Sequence, residues 1–156
     1  MEISIREDDV RGEAIAELLA AHLVDATRQS PPESVHALDI DSLRAPDITV
    51  WSAWDEATLV GCGALKELDR RHGEIKSMHT AHAQRGRGVG TRMLSHIIDE
   101  ARERGYARLS LETGSMPAFA PARALYAGFG FTACPPFADY RPDPNSVFMT
   151  LALTKA

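Results

Sequence analysis

Two periods of apolar residues alternate along this chain and spell out an order of elements. Ile3 and Ile5 alternate with polar neighbours, which predicts a short first strand. Asp8 and Asp9 can cap a helix over 10–24, and Ile15, Leu18, Leu19 and Leu23 line one face of it. Ser30-Pro31-Pro32 breaks it, and 33–43 reads as a weaker helix or turn closed by Pro46. Residues 48–54 alternate, with Ile48, Val50 and Ser52 on one side. The turn Asp55-Glu56-Ala57-Thr58 joins them to 59–65 in an antiparallel hairpin. Arg70-Arg71-His72-Gly73 turns the chain into a further strand, 74–80.

The period then changes. Met93, Leu94, Ile97, Ile98 and Ala101 recur at helical spacing, and Gly105 stops the helix. Leu109, Leu111 and Thr113 mark a strand that, a helix away from 74–80, should run parallel to it. A short helix over 121–127 ends at Gly128, a strand starts over 129–132, and 147–153 closes the sheet with Phe148 or Met149 inward. The sum is a mixed α/β fold over one domain, 1–156.

Composition narrows the classes. At 156 residues the chain can bury its own core without staples. A formal charge of −5 argues against nucleic-acid or membrane-surface partners, which makes the arginines between Arg85 and Arg92 a local exception. Cys62 and Cys134 fit no metal or redox spacing and read as reduced thiols. Acidic residues interrupt the start, and no apolar run reaches membrane-spanning length, so a soluble cytoplasmic protein is expected.

The candidate chemistry sits between strand 74–80 and its helix, in Gln84-Arg85-Gly86-Arg87-Gly88-Val89-Gly90-Thr91. A glycine turn opening a helix gathers unpaired amides at one point, where the macrodipole favours an anion. The dinucleotide fingerprint fails, because the third glycine position falls on Thr91 or Met93. The triphosphate loop fails too, because Gly90 is followed by Thr91-Arg92. A tight turn holding no ligand is the alternative.

Arg85-x-x-Gly88-x-Gly90 resembles the pyrophosphate-binding motif of the GNAT N-acetyltransferase superfamily, whose ligand is acetyl-coenzyme A. Two further blocks resemble the family in the same order: Glu74-Ile75-Lys76-Ser77-Met78-His79-Thr80, then Leu109-Ser110-Leu111-Glu112-Thr113 with Ala122-x-x-Leu125-Tyr126-x-x-Phe129-Gly130-Phe131. The resemblance implies a single-domain GNAT-like α/β fold, with a mixed, mostly antiparallel sheet, a central splayed parallel pair and flanking helices. It also implies a bulge in strand 74–80.

The same resemblance implies a site. Met78, His79, Thr80, Arg85, Gly86, Arg87, Gly88, Val89, Gly90, Thr91 and Tyr126 would contact the coenzyme. Tyr126 would protonate the departing thiolate and Glu74 would take the amine proton through water, with His79 and His36 as rival bases. The acceptor would enter past 30–43, against Arg28, His36, Glu74 and Glu112. Lys66, Lys76, Arg70 and Arg71 hint at an anionic acceptor, although each also suits a solvated surface. The implied reaction is direct acetyl transfer to a primary amine of a small molecule or amino acid, with no metal. A protein or peptide amine, or a non-catalytic acyl-coenzyme A-binding module, are the alternatives. The apolar final strand is a candidate homodimer surface. Two departures stand out: Phe119 occupies a position where the family often carries asparagine, and His82 one where proline is frequent.

Overall fold

A computed structural model describes residues 2–29 and 40–153, apart from the side chains of 25–29 and 82. The strands are β1 (Ser4–Asp8), β2 (Ile48–Asp55), β3 (Thr58–Asp69), β4 (His72–Thr80), β5 (Arg108–Gly114), β6 (Thr132–Ala133) and β7 (Ser146–Ala152). The helices are α1 (Glu13–Gln29), α2 (Ile40–Leu43), α3 (Val89–Glu103) and α4 (Ala120–Gly128). One seven-stranded sheet runs β1-β2-β3-β4-β5-β7-β6, antiparallel throughout except at β4–β5, as the element order predicts.

Both faces of the sheet are covered. The apolar stripe of α3 supplies Met93, Leu94, Ile97, Ile98 and Ala101 to a core shared with Leu65, Ile75, Leu109, Leu111, Tyr126 and Met149. Each large side chain buried there stabilises the fold by roughly 1.5–3 kcal/mol. Gly61 and Gly63 let α3 lie close on β3: a Cβ at Gly63 would stand 2.8 Å from Met93 Cγ. The opposite face packs Val50, Cys62 and Ala64 against Ile15, Leu18 and Leu19 of α1 and Leu43 of α2.

Four details depart from the sequence expectation. Helix α1 starts at Glu13, because Asp8 and Asp9 accept hydrogen bonds from the Val10 and Arg11 amides and form a turn ahead of it. Of the weaker helix over 33–43, Ile40–Leu43 is helical, and residues up to 39 lie outside the described region. Strand β3 runs on to Asp69 and β4 starts two residues early, at His72. The strand expected over 129–132 shrinks to Thr132–Ala133, because the Phe129 and Phe131 amides turn back to the Tyr126 carbonyl and close α4.

Candidate active site

Strands β4 and β5 pair from His72↔Arg108 to Ile75↔Leu111 and no further. Beyond that point β4 continues to Thr80 and β5 to Gly114, so a gap opens between them. A bulge sits on β4 there, as the family resemblance implies. Cys62 pairs with His79 and Ala64 with Lys76, so Ser77 and Met78 together face Gly63, with Ser77 at φ 54°. Ser77 Oγ is buried and has no hydrogen-bond partner among the described residues.

At the end of β4 the chain makes the glycine turn. Gly86 and Gly88 have φ of 79° and 83°, the left-handed region that other residues avoid. A Cβ on either would meet nothing within 4 Å, so open space lies over the turn. Gly88 caps α3 without any side-chain bond, and the first helical bond runs from the Arg92 amide to the Gly88 carbonyl. The amides of Val89, Gly90 and Thr91 therefore lack helical acceptors. Arg85 and Arg87 flank them, Arg85 reaching Thr80 and Arg87 reaching Gln84. Arg92 turns away and donates to the Ile3 carbonyl at 3.1 Å.

Helix α4 closes over this end: Leu125 comes within 3.3 Å of a Cβ on Gly90. Tyr126 follows, buried against Phe131. Burial, and secondarily the Glu112 carboxylate, push its phenol well above the ordinary range. Phe119 lies on Gly114 at the end of β5, so close that a Cβ there would clash with the ring. The position where the family often carries asparagine thus covers the backbone with an apolar ring.

On the other side of the parting point lies a pocket of about 500 Å³, lined by Lys66, Glu74, Lys76 and residues 138–143 of the β6–β7 loop. Glu74 is 3% exposed. Its Oε2 accepts from Lys76 Nζ at 3.0 Å and from the Tyr140 hydroxyl at 2.5 Å, and Lys76 Nζ also donates to Tyr140 at 2.9 Å. Burial first, then the Glu74 carboxylate, raises the Tyr140 phenol, which keeps it a donor. The loop is held down by rings: Phe137, Tyr140 and Phe148 meet pairwise, edge-on or tilted, with centroids 5.2–5.9 Å apart.

The other candidate residues fall in several places. Glu112 is half-buried on β5 beyond the pairing, where its charge raises both Tyr126 and Tyr140. His79 turns toward α1, its Nδ1 3.3 Å from that of His22. Met78 packs on the α3 side near Gly63, and Thr80 lies near Gly90. The Arg28 side chain and His36 lie outside the described residues. Lys76, which the sequence allows as a surface charge, is only 10% exposed. Tyr140 escapes the sequence reading; two aromatics three residues apart in a proline-rich loop are the signal for it.

An opened parallel pair with an uncapped helix start at its mouth is the arrangement that the resemblance to N-acetyltransferases implies. A protein from Klebsiella pneumoniae described as an acyl-CoA N-acyltransferase matches the fold with a TM-score of 0.78 at 28% identity, over 97% of this chain and 98% of its own. The yncA acetyltransferase of Salmonella typhimurium, solved with acetyl-coenzyme A, matches at 0.72 and 22%, over 99% and 95%. The family model described as Acetyltransferase (GNAT) family matches residues 12–131. YsnE, an uncharacterized N-acetyltransferase of Bacillus subtilis, is 59% identical over 96% of this chain and 99% of its own. The chain belongs to the GNAT family of acetyltransferases.

Proposed function

We propose that this protein transfers the acetyl group of acetyl-coenzyme A directly to a primary amine of a small molecule, amino acids included. The observation that carries the reading is the coincidence of two features. Glu74 and Lys76, which line the pocket, flank Ile75, the last residue of β4 paired with β5. A thioester lying in the gap and an amine entering the pocket would meet there. A pocket of about 500 Å³ suits a small molecule, whereas a peptide chain needs a longer groove.

In this reading the diphosphate rests on the amides of Val89, Gly90 and Thr91, with Arg85 and Arg87 beside it. The pantetheine arm runs along the main chain of Met78 to Thr80, in hydrogen-bond reach of the unpaired edge of β4. The neutral amine nitrogen attacks the acetyl carbonyl, and an amide near Met78 receives the charge that develops on oxygen. The N–C bond forms, the C–S bond breaks, and the departing thiolate takes its proton from Tyr126. The proton shed by the amine leaves through Glu74 and water, and solvent restores Tyr126. The products are the N-acetyl compound and free coenzyme A.

The Cys62 thiol, pushed up to about 12 chiefly by burial, is a poor nucleophile, which supports transfer without an acyl-enzyme. No helix among the described residues is long and apolar enough to cross a membrane. The reading extends to a cytoplasmic enzyme that pairs with a second copy along β7, whose outer edge β6 covers over two residues only. Light scattering tests the pairing. The central experiment is a panel of amines with acetyl-coenzyme A, assayed by free-thiol release. Turnover with peptide amines and not with small ones would overturn the choice of acceptor.

A further inference from the structure

Resting on the reading of Glu74 as the residue that takes the amine proton, we infer that Tyr140 is a positioning residue for it: the phenol holds one carboxylate oxygen so that the other is aimed at the acceptor. The two oxygens of Glu74 meet different surroundings. Oε2 accepts from Lys76 Nζ at 3.0 Å and from the Tyr140 hydroxyl at 2.5 Å. Oε1 accepts nothing among the described residues, and it is not one of the buried polar atoms that lack a partner. Glu74 lines the pocket, so Oε1 is the oxygen that opens on it.

Two donors share Oε2, and only one of them is rigid. The last torsion of a glutamate is broad, so a single donor leaves the carboxylate plane free to swing about it. Two donors on one oxygen fix that plane. Lys76 alone is a point charge with three donors on a flexible stem, able to straddle both oxygens and cover the one that must receive the proton. Tyr140 is built in. The loop folds tightly ahead of it, with Ala138 at φ 51° and the Tyr140 amide donating to the Phe137 carbonyl at 3.0 Å. Ring contacts with Phe137 and Phe148 then set the direction of the phenol. Its oxygen in turn accepts from Lys76 at 2.9 Å, which draws the ammonium to the same side of the carboxylate. The amine thus gives its proton to a bridging water, the water gives one to Oε1, and the carboxylic acid returns it to bulk water.

The test is a cycle of kcat values at saturating acetyl-coenzyme A and acceptor amine, for wild type, Tyr140→Phe, Glu74→Gln and the double variant. Phenylalanine keeps the ring contacts and removes the donor. Tyr140→Phe should lower kcat roughly tenfold while KM for acetyl-coenzyme A stays within about twofold, and Glu74→Gln should lower kcat roughly 10²-fold. Added to Glu74→Gln, Tyr140→Phe should cost less than about twofold more, because no carboxylate is left to aim. A role confined to packing the loop would cost the same factor in both backgrounds. That equal cost, or an unchanged kcat in Tyr140→Phe, overturns the inference and leaves the acetyltransferase reading standing. A crystal structure of the wild type decides the geometry whether or not the variants fold: one Glu74 oxygen on Tyr140 and the other open to the pocket supports the inference, and both oxygens bonded within the protein overturns it. Full turnover in Glu74→Gln removes the base role and this inference with it, whereas no turnover of any amine by the wild type removes the acetyltransferase reading itself.

Discussion

The hydroxyl of Tyr140 reaches across 66 positions of sequence to donate to Glu74 Oε2 at 2.5 Å, and Lys76 binds the same oxygen. The three side chains form a closed triangle at the place where the sheet parts. A hydrogen bond to a buried charge contributes about 1.5–3 kcal/mol, so Tyr140→Phe should lower unfolding free energy by about that amount. It should also change KM for the acceptor more than Kd for the coenzyme. Denaturant titration and steady-state kinetics on one preparation check both.

The ion pair itself should behave asymmetrically. Lys76→Met leaves Glu74 charged and buried and should cost about 3–5 kcal/mol. The double variant Lys76→Met with Glu74→Gln removes both charges and should recover part of that loss. A double-mutant cycle measures the coupling. Purely additive effects would show that the pair contributes nothing as a pair.

Gly88 tests the phosphate turn. Its φ of 83° makes Gly88→Ala cost roughly 1–2 kcal/mol from backbone strain alone. Gly88→Glu should add a negative charge where the diphosphate would rest. The apo protein should still fold, while the rise in melting temperature caused by coenzyme A disappears. Persistence of that rise would place the diphosphate elsewhere.

Tyr126→Phe should lower kcat by roughly 10²-fold or more while coenzyme affinity stays the same. Because burial and Glu112 raise this phenol, its ionisation should leave no alkaline limb in the wild-type rate profile below about pH 10, the ordinary phenol value. A rate profile carried up to that pH with a fully deprotonated acceptor decides it.

His72 should make stability depend on acid. Burial is the largest cause holding its pKa below the ordinary 6.5, and its Nε2 meets Ser110 Oγ at 2.7 Å. The unfolded chain therefore takes up a proton near pH 6.5 that the folded chain resists. The contribution is whole above that pH and is lost as pH falls from 6.5 through the lower folded value. Melting temperature should drop more between about pH 7.5 and about pH 5 in the wild type than in His72→Gln.

Cys62, 1% exposed and with its thiol pushed up to about 12, should resist iodoacetamide at about pH 8 in the folded protein. Mass spectrometry after labelling, alongside residual turnover, tests the absence of an acyl-enzyme. Rapid labelling of Cys62 with loss of activity would reopen that route.

The sequence by itself determined what local rules govern. The stripe of α3, Gly88 at a left-handed position and the order of strands and helices each follow from spacing within a few residues. Three separated blocks in the right order carried the family as well, because their residue types and spacing are written into the chain.

Only the tertiary structure decided which charges meet. Lys66 and Lys76 look alike in sequence, yet the bulge and register of β4 bury one against Glu74 and leave the other lining the pocket. Tyr140 joins them because three aromatic rings fold a long loop back onto the sheet. Such pairings depend on side chains far apart in the chain sharing one small volume, and no periodicity reports that.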